Sequence, residues 1–251
     1  MHRMDLNCDM GEGMGKEEAI FPFISSVNIA CGAHAGDDDT MRRMVELALM
    51  HRVAIGAHPS YPDRANFGRV DQIDQGLRPE DLTTIIGDQL YRLQKICIES
   101  GTGIHHVKPH GALYNRAARD GRVASFICST VKAFNPGLLL YGLSGSEMAA
   151  EAATYDLPFV HEAFADRSYR DDGSLTPRTE AGALIEDSQL AVRQVLQIIR
   201  ERSVMAQSGK PIFLRADTIC LHGDGAQAPL FAQRIYESLQ KQGILLCPPT
   251  Q

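Results

Sequence analysis

The sequence predicts an α/β protein built as a single-domain, irregular seven-stranded β/α barrel. Three observations lead there. Short apolar runs alternate with amphipathic segments along all 251 residues, the pattern of repeated βα units on a parallel sheet. Polar signatures sit just after several of those runs, where α/β enzymes place their active sites, at the carboxyl ends of the strands. Finally, no Gly/Ser linker, low-complexity stretch or short repeat divides the chain, and this length is ordinary for one barrel domain spanning residues 1–251. A doubly wound open sheet has the same alternation, so periodicity leaves that alternative open.

The expected strands cover residues 4–8, 27–30, 53–57, 106–109, 138–143, 158–163 and 218–222. Between the second and third, residues 38–51 place Met41, Met44, Val45, Ala48 and Leu49 on one helical face, with acidic residues in the first turn. Pro79-Glu-Asp81 opens a second helix with proline in the first turn, and Gly101 follows its end. Residues 123–134, 146–154, 184–205 and 229–242 read as further helices. The polar stretches 59–78 and 166–180 read as active-site loops.

Composition narrows the function. Hydrophobic residues make up 44% and charged residues 22%, ordinary values for a globular protein, and the net charge of −6 offers no basic block for nucleic-acid phosphates. No apolar stretch approaches the ~18 residues of a membrane span, and no apolar leader follows Met1, so a cytoplasmic protein is expected. The six cysteines are scattered without a Cys-x-x-Cys pair, which fits reduced, mostly buried thiols.

The signatures carry the chemistry. In Asp5-Leu-Asn-Cys-Asp-Met-Gly-Glu-Gly13, a period of two puts Asn7 and Asp9 on one strand face, and Glu12 adds a carboxylate between glycines that permit close backbone approach. His34 precedes Gly36-Asp37, where Asp37 or Asp38 caps the following helix. His58 stands at a strand tip because Pro59 ends the ladder, with Asp63-Arg64 beyond it. Lys108 and His110 flank Pro109 on one face; a lysine in a barrel mouth needs a carboxylate such as Asp9, or an anionic intermediate. Asn115 follows five residues on. Glu162 ends the sixth strand, Asp166-Arg167 and Arg178 lie in the loop after it, and His222-Gly-Asp224 ends the seventh. Asp9, His34 and His58 are types that bind metals, but they lie on different strands without helical spacing, so no metal is assigned. Neither a G-x-S-x-G elbow nor a nucleotide-binding glycine loop is present.

Together, residues 5–13, 26–37, 56–69, 108–115, 162–178 and 220–224 resemble the signatures of the LamB/YcsF family, in the same order and over nearly the whole chain. Asn66 stands where the family has glycine, and Val70 where it has a second arginine. The resemblance implies a barrel similar to polysaccharide deacetylases and family 38 glycosidases. It implies ATP-dependent 5-oxoprolinase activity, in which 5-oxo-L-proline, ATP and water give L-glutamate, ADP and phosphate. It also implies two partner subunits, B and C, similar to allophanate hydrolase, with ATP bound with their help. On this reading Asp9, His58 and Lys108 are catalytic. Asn7, Glu12, His34, Arg64, His110, Asn115, Glu162, Arg167, Arg178 and His222 bind substrate. The rival readings are a metal-dependent carbohydrate deacetylase and a non-catalytic lactam-binding subunit.

Overall fold

The computed structural model describes residues 3–13, 15, 17–222 and 227–250. Strand β1 (Arg3–Met10) lies beside β2 (Ser26–Ala30), followed around the sheet by β3 (Ala54–His58), β4 (His106–Val107), β5 (Leu139–Leu143) and β6 (Phe159–Phe164). An antiparallel hairpin, β7 (Ser203–Met205) with β8 (Pro211–Phe213), precedes β9 (Thr218–His222). Because β9 pairs in parallel with both β6 and β1, seven parallel strands close into a barrel, and the open-sheet alternative is excluded. A short β10 (Leu245–Leu246) pairs with the amino end of β1.

Seven helices wrap the barrel: α1 (Asp38–His51), α2 (Leu82–Glu99), α3 (Gly111–Ala117), α4 (Gly121–Phe134), α5 (Glu147–Thr154), α6 (Ser188–Glu201) and α7 (Ala228–Lys241), counted among the described residues. The Asp37 carboxylate caps α1 by accepting from the Thr40 amide at 2.9 Å, and Asp38 and Asp39 complement the helix dipole. Leu49, expected on the buried face, is solvent-exposed; Leu47 is buried instead. Packed against both the strands and α2, α1 has a buried stripe wider than a single-sided helix. The 184–205 segment also departs from expectation. Its helix begins at Ser188 and ends at Glu201, where Arg202 turns left-handed (φ 51°), and the chain then enters the β7–β8 hairpin. No helix among the described residues is long and apolar enough to cross a membrane.

Alternation divides β1 into two functions. Leu6, Cys8 and Met10 join the apolar core between barrel and helices, while Asp5, Asn7 and Asp9 meet partners across the lumen. Lowest lies Asp5, which accepts hydrogen bonds from Ser25 Oγ (2.6 Å), Ser26 Oγ (2.7 Å), Thr218 Oγ1 (2.6 Å) and Tyr141 OH (3.0 Å). Burial nevertheless pushes its pKa up. Above it, Asn28 Nδ2 donates to Asn7 Oδ1 (2.8 Å) and Asp9 Oδ1 (2.7 Å), and His106 Nε2 donates to Asn28 Oδ1 (2.7 Å). The lumen is therefore a hydrogen-bonded polar column, and such networks are rigid only when every member is satisfied.

Gly56 leaves room for that column. A Cβ there would fall 2.1 Å from His106 Nε2, whose ring is also stacked on Tyr141 with centroids 4.0 Å apart. We expect Gly56→Ala to lower the unfolding free energy by about 1–3 kcal/mol, the usual cost of overpacking. Urea titration checks this, and an unchanged midpoint contradicts the packing described.

Candidate active site

Lys108 directly follows β4 and projects into the upper lumen, where it is almost wholly buried. Its Nζ lies 3.0 Å from Asp9 Oδ1 and 2.9 Å from Glu162 Oε1. It also donates to Cys220 Sγ at 3.1 Å and Asn7 Oδ1 at 3.3 Å. Burial alone would pull the ammonium pKa down, but Asp9, with Cys220 and Glu162, holds it well above the ordinary lysine value. Three N–H donors face four acceptors. Once the carboxylates take two, the third is divided between an amide oxygen and a thiol, and it is the one a substrate oxygen can recruit. Glu162 is itself fixed by Asn7 Nδ2 (3.0 Å) and Tyr114 OH (2.7 Å).

Beside this triad, side chains from four separate loops and strand ends converge. Glu12 Oε1 lies 3.1 Å from His34 Nε2, 3.2 Å from His110 Nδ1 and 3.8 Å from His58 Nε2. His58 Nε2 is 3.4 Å from Asp9 Oδ2. The remaining ring nitrogens settle the tautomers. His58 Nδ1 donates to the Lys108 carbonyl at 2.7 Å, and His110 Nε2 donates to the Phe67 carbonyl at 2.9 Å. Burial would raise the Asp9 carboxyl, but His58 and Lys108 hold it well below its usual range. Burial would likewise raise Glu12, which the neighbouring imidazoles of His110 and His34 hold down instead. Burial pushes His34 down to about 4 and also lowers His110. His58, opposed by burial, is raised by Asp9.

Asp9, Glu12, His58, Lys108 and His110 form the floor of a cavity of about 720 Å³, a size suited to small-molecule ligands. Five arginines line it: Arg69, Arg119, Arg167, Arg170 and Arg178. Arg167 is buried and tethered, donating to the Thr176 carbonyl at 2.6 Å. Asp71 and Asp172 also face the cavity, yet arginines outnumber acids around its rim. An acidic protein therefore presents a cationic mouth over an anionic floor.

Of the residues expected at the site, Asp9, Glu12, His58, Lys108, His110, Asn115, Arg167, Arg178 and His222 line this cavity. Asn7 and Glu162 lie beneath it as partners of Lys108. His34 sits behind Glu12, its Nδ1 without a partner among the described residues. Arg64 is placed elsewhere: it is exposed, outside the cavity, and donates to the Gly36 and Gly32 carbonyls of the loop after β2. His222 pairs with Asp166 at 2.9 Å; Gly223 and Asp224 of that signature lie outside the described residues. Asn66 donates from Nδ2 to Asp63 Oδ1 at 2.9 Å and helps shape the loop carrying Phe67.

Sequence reasoning missed Tyr114, Asn28, Cys220 and the outer arginines. Asn28 was readable, because Ser26-Val-Asn28 repeats the alternation of β1. Tyr114 lies one helical turn after His110, a spacing that shares a face, but α3 was not foreseen.

Residues 4–251 match the LamB/YcsF family. The chain is 46% identical over 255 residues to a protein of Bacillus cereus (strain B4264) named as the A subunit of 5-oxoprolinase, covering 99% of this chain and 100% of that relative. The crystal structure of a lactam utilization protein from Thermus thermophilus superposes with a TM-score of 0.90 at 40% identity, covering 98% of this chain and 99% of the other. A family 4 carbohydrate esterase from Streptomyces lividans shares the fold at a TM-score of 0.50 and 11% identity, over 98% of this chain and 91% of the other.

The buried triad makes a stability prediction. Removing Lys108 strands two carboxylates in the lumen, so Lys108→Met should cost about 3–5 kcal/mol in unfolding free energy. Lys108→Met combined with Glu162→Gln should recover part of that loss. Equal stability of wild type and the single variant, measured by urea titration, would refute the charge balance.

Proposed function

The chain belongs to the LamB/YcsF family, and on that premise we propose that it is the ring-opening component of an ATP-dependent 5-oxoprolinase, its A subunit. The overall reaction converts 5-oxo-L-proline, ATP and water to L-glutamate, ADP and phosphate. The observation that carries the reading is the Lys108 ammonium, held between Asp9 and Glu162 at the floor of a cavity rimmed by arginines. A five-membered lactam is a stable amide. Opening it requires an activated carbonyl, a nearby base and cationic stabilisation of the tetrahedral oxyanion.

Each requirement has a candidate. The arginine rim, with Arg167 and Arg178, binds the substrate carboxylate and a phosphate placed on the lactam oxygen. The cavity exceeds what a bare lactam needs, which suits a phosphorylated one. The chain lacks a glycine-rich phosphate loop of its own, so ATP is bound with the partner subunits B and C, and activation precedes hydrolysis here. Asp9 Oδ2, held 3.4 Å from His58 Nε2, takes a proton from the water that attacks the phosphorylated carbon and returns it to the departing ring nitrogen, and a second water then releases phosphate from the acyl phosphate left behind. Lys108 offsets the negative charge that gathers on the oxygens around the reacting carbon. His110, Asn115 and His222 bound the same space.

Glutamate release from 5-oxoproline should require this chain, both partner subunits and ATP together. In that assembly Arg178→Ala should raise KM about tenfold with a smaller change in kcat, the signature of lost ground-state binding. Full release by the partners without this chain, or an Arg178→Ala variant with unchanged KM, would overturn the reading.

A further inference from the structure

The tautomers fixed above create a local conflict. His58 Nδ1 and His110 Nε2 spend their protons on carbonyl oxygens, so the neutral rings turn bare lone pairs toward each other from His58 Nε2 and His110 Nδ1, only 3.0 Å apart. Glu12 Oε1 faces the same point, 3.2 Å from His110 Nδ1 and 3.8 Å from His58 Nε2. Three acceptors in a buried pocket call for a cation between them. A tetrahedral shell at ~2.0–2.1 Å sets its donors roughly 3.3 Å apart, which the observed 3.0, 3.2 and 3.8 Å bracket.

We propose that Glu12, His58 and His110 bind one divalent transition-metal ion of the zinc class at the cavity floor. Two imidazoles and a carboxylate are the donor types such ions choose, and three protein ligands leave a position open toward the cavity, the pattern of a catalytic rather than a structural metal. Asp9 Oδ2 lies 3.4 Å from His58 Nε2 on the same floor. His34 has a different task. Its ring lies flat on His110, centroids 3.8 Å apart and planes within 5°, and parallel rings cannot both aim in-plane lone pairs at one point. His34 Nε2 instead holds Glu12 Oε1 at 3.1 Å, a positioning contact of the kind that orients a ligating carboxylate. A second convergent group, Asp9, Cys220 and His222, is not a rival, because the Lys108 ammonium already lies 3.0 Å from Asp9 and 3.1 Å from Cys220.

This site stands on its own atoms whether or not the lactam reading holds. The test strips the full chain with a chelator, then adds zinc(II) or cobalt(II), removes the excess by gel filtration and measures retained metal. One equivalent per chain is expected, with a cobalt absorption band typical of four or five ligands and a raised melting temperature. His58→Ala and His110→Gln should lose stoichiometric retention. His34→Ala should weaken it by roughly 10- to 100-fold, as loss of an orienting contact does. No retained metal and no thermal shift in the wild-type chain would overturn the proposal and assign the space between His58 and His110 to a shared proton. The wild-type result needs no variant to fold, and it is independent of glutamate release.

Discussion

A lysine ammonium inside a barrel is stable only if counter-charge and hydrogen bonds replace its lost water, and the upper lumen is arranged around that demand at Lys108. Asp9 and Glu162 flank it at hydrogen-bond distance. Each carboxylate is pinned in turn, Asp9 by Asn28 and Glu162 by Asn7 and Tyr114. The pins reach down to Asp5 through Thr218 and across to His106 through Asn28. One buried charge thus propagates constraints through five strands. Those constraints explain why the interior is polar where a barrel of this size ordinarily fills with branched aliphatic residues.

The same arrangement separates charge by depth. Below, the carboxylates outnumber the single ammonium; above, arginines crowd the mouth. On the proposed function, an anionic substrate is drawn in by the rim and meets the ammonium only at the bottom, where low dielectric strengthens every electrostatic contact. The imidazole cluster lies on the flank of this floor. Its members come from the loop after β1, the loop after β2, the tip of β3 and the cap of α3. It is therefore assembled by barrel closure rather than by local sequence.

That distinction decides what was legible beforehand. Strand periodicity exposed Asn7, Asp9, Lys108 and His58, because alternation fixes a side chain's direction without tertiary knowledge. Arg64 was misplaced because an arginine side chain is long enough to follow whichever carbonyls the fold brings near, here those of Gly32 and Gly36. The helix expected over 184–205 overran its end because no glycine marks the turn; Arg202 itself adopts the left-handed conformation that stops α6. The convergence of Glu12, His58 and His110 has no spacing signature, which is why the sequence assigned no metal there.

The claim at the centre of this account is that the ammonium of Lys108 faces the reacting carbonyl. The structure of the chain soaked with 5-oxoproline tests it most directly. The account predicts the lactam oxygen within hydrogen-bond reach of Lys108 Nζ, displacing the Cys220 or Asn7 contact, with the ring carboxylate against the arginine rim. A lactam seated elsewhere in the cavity, with the Lys108 contacts unchanged, would contradict it.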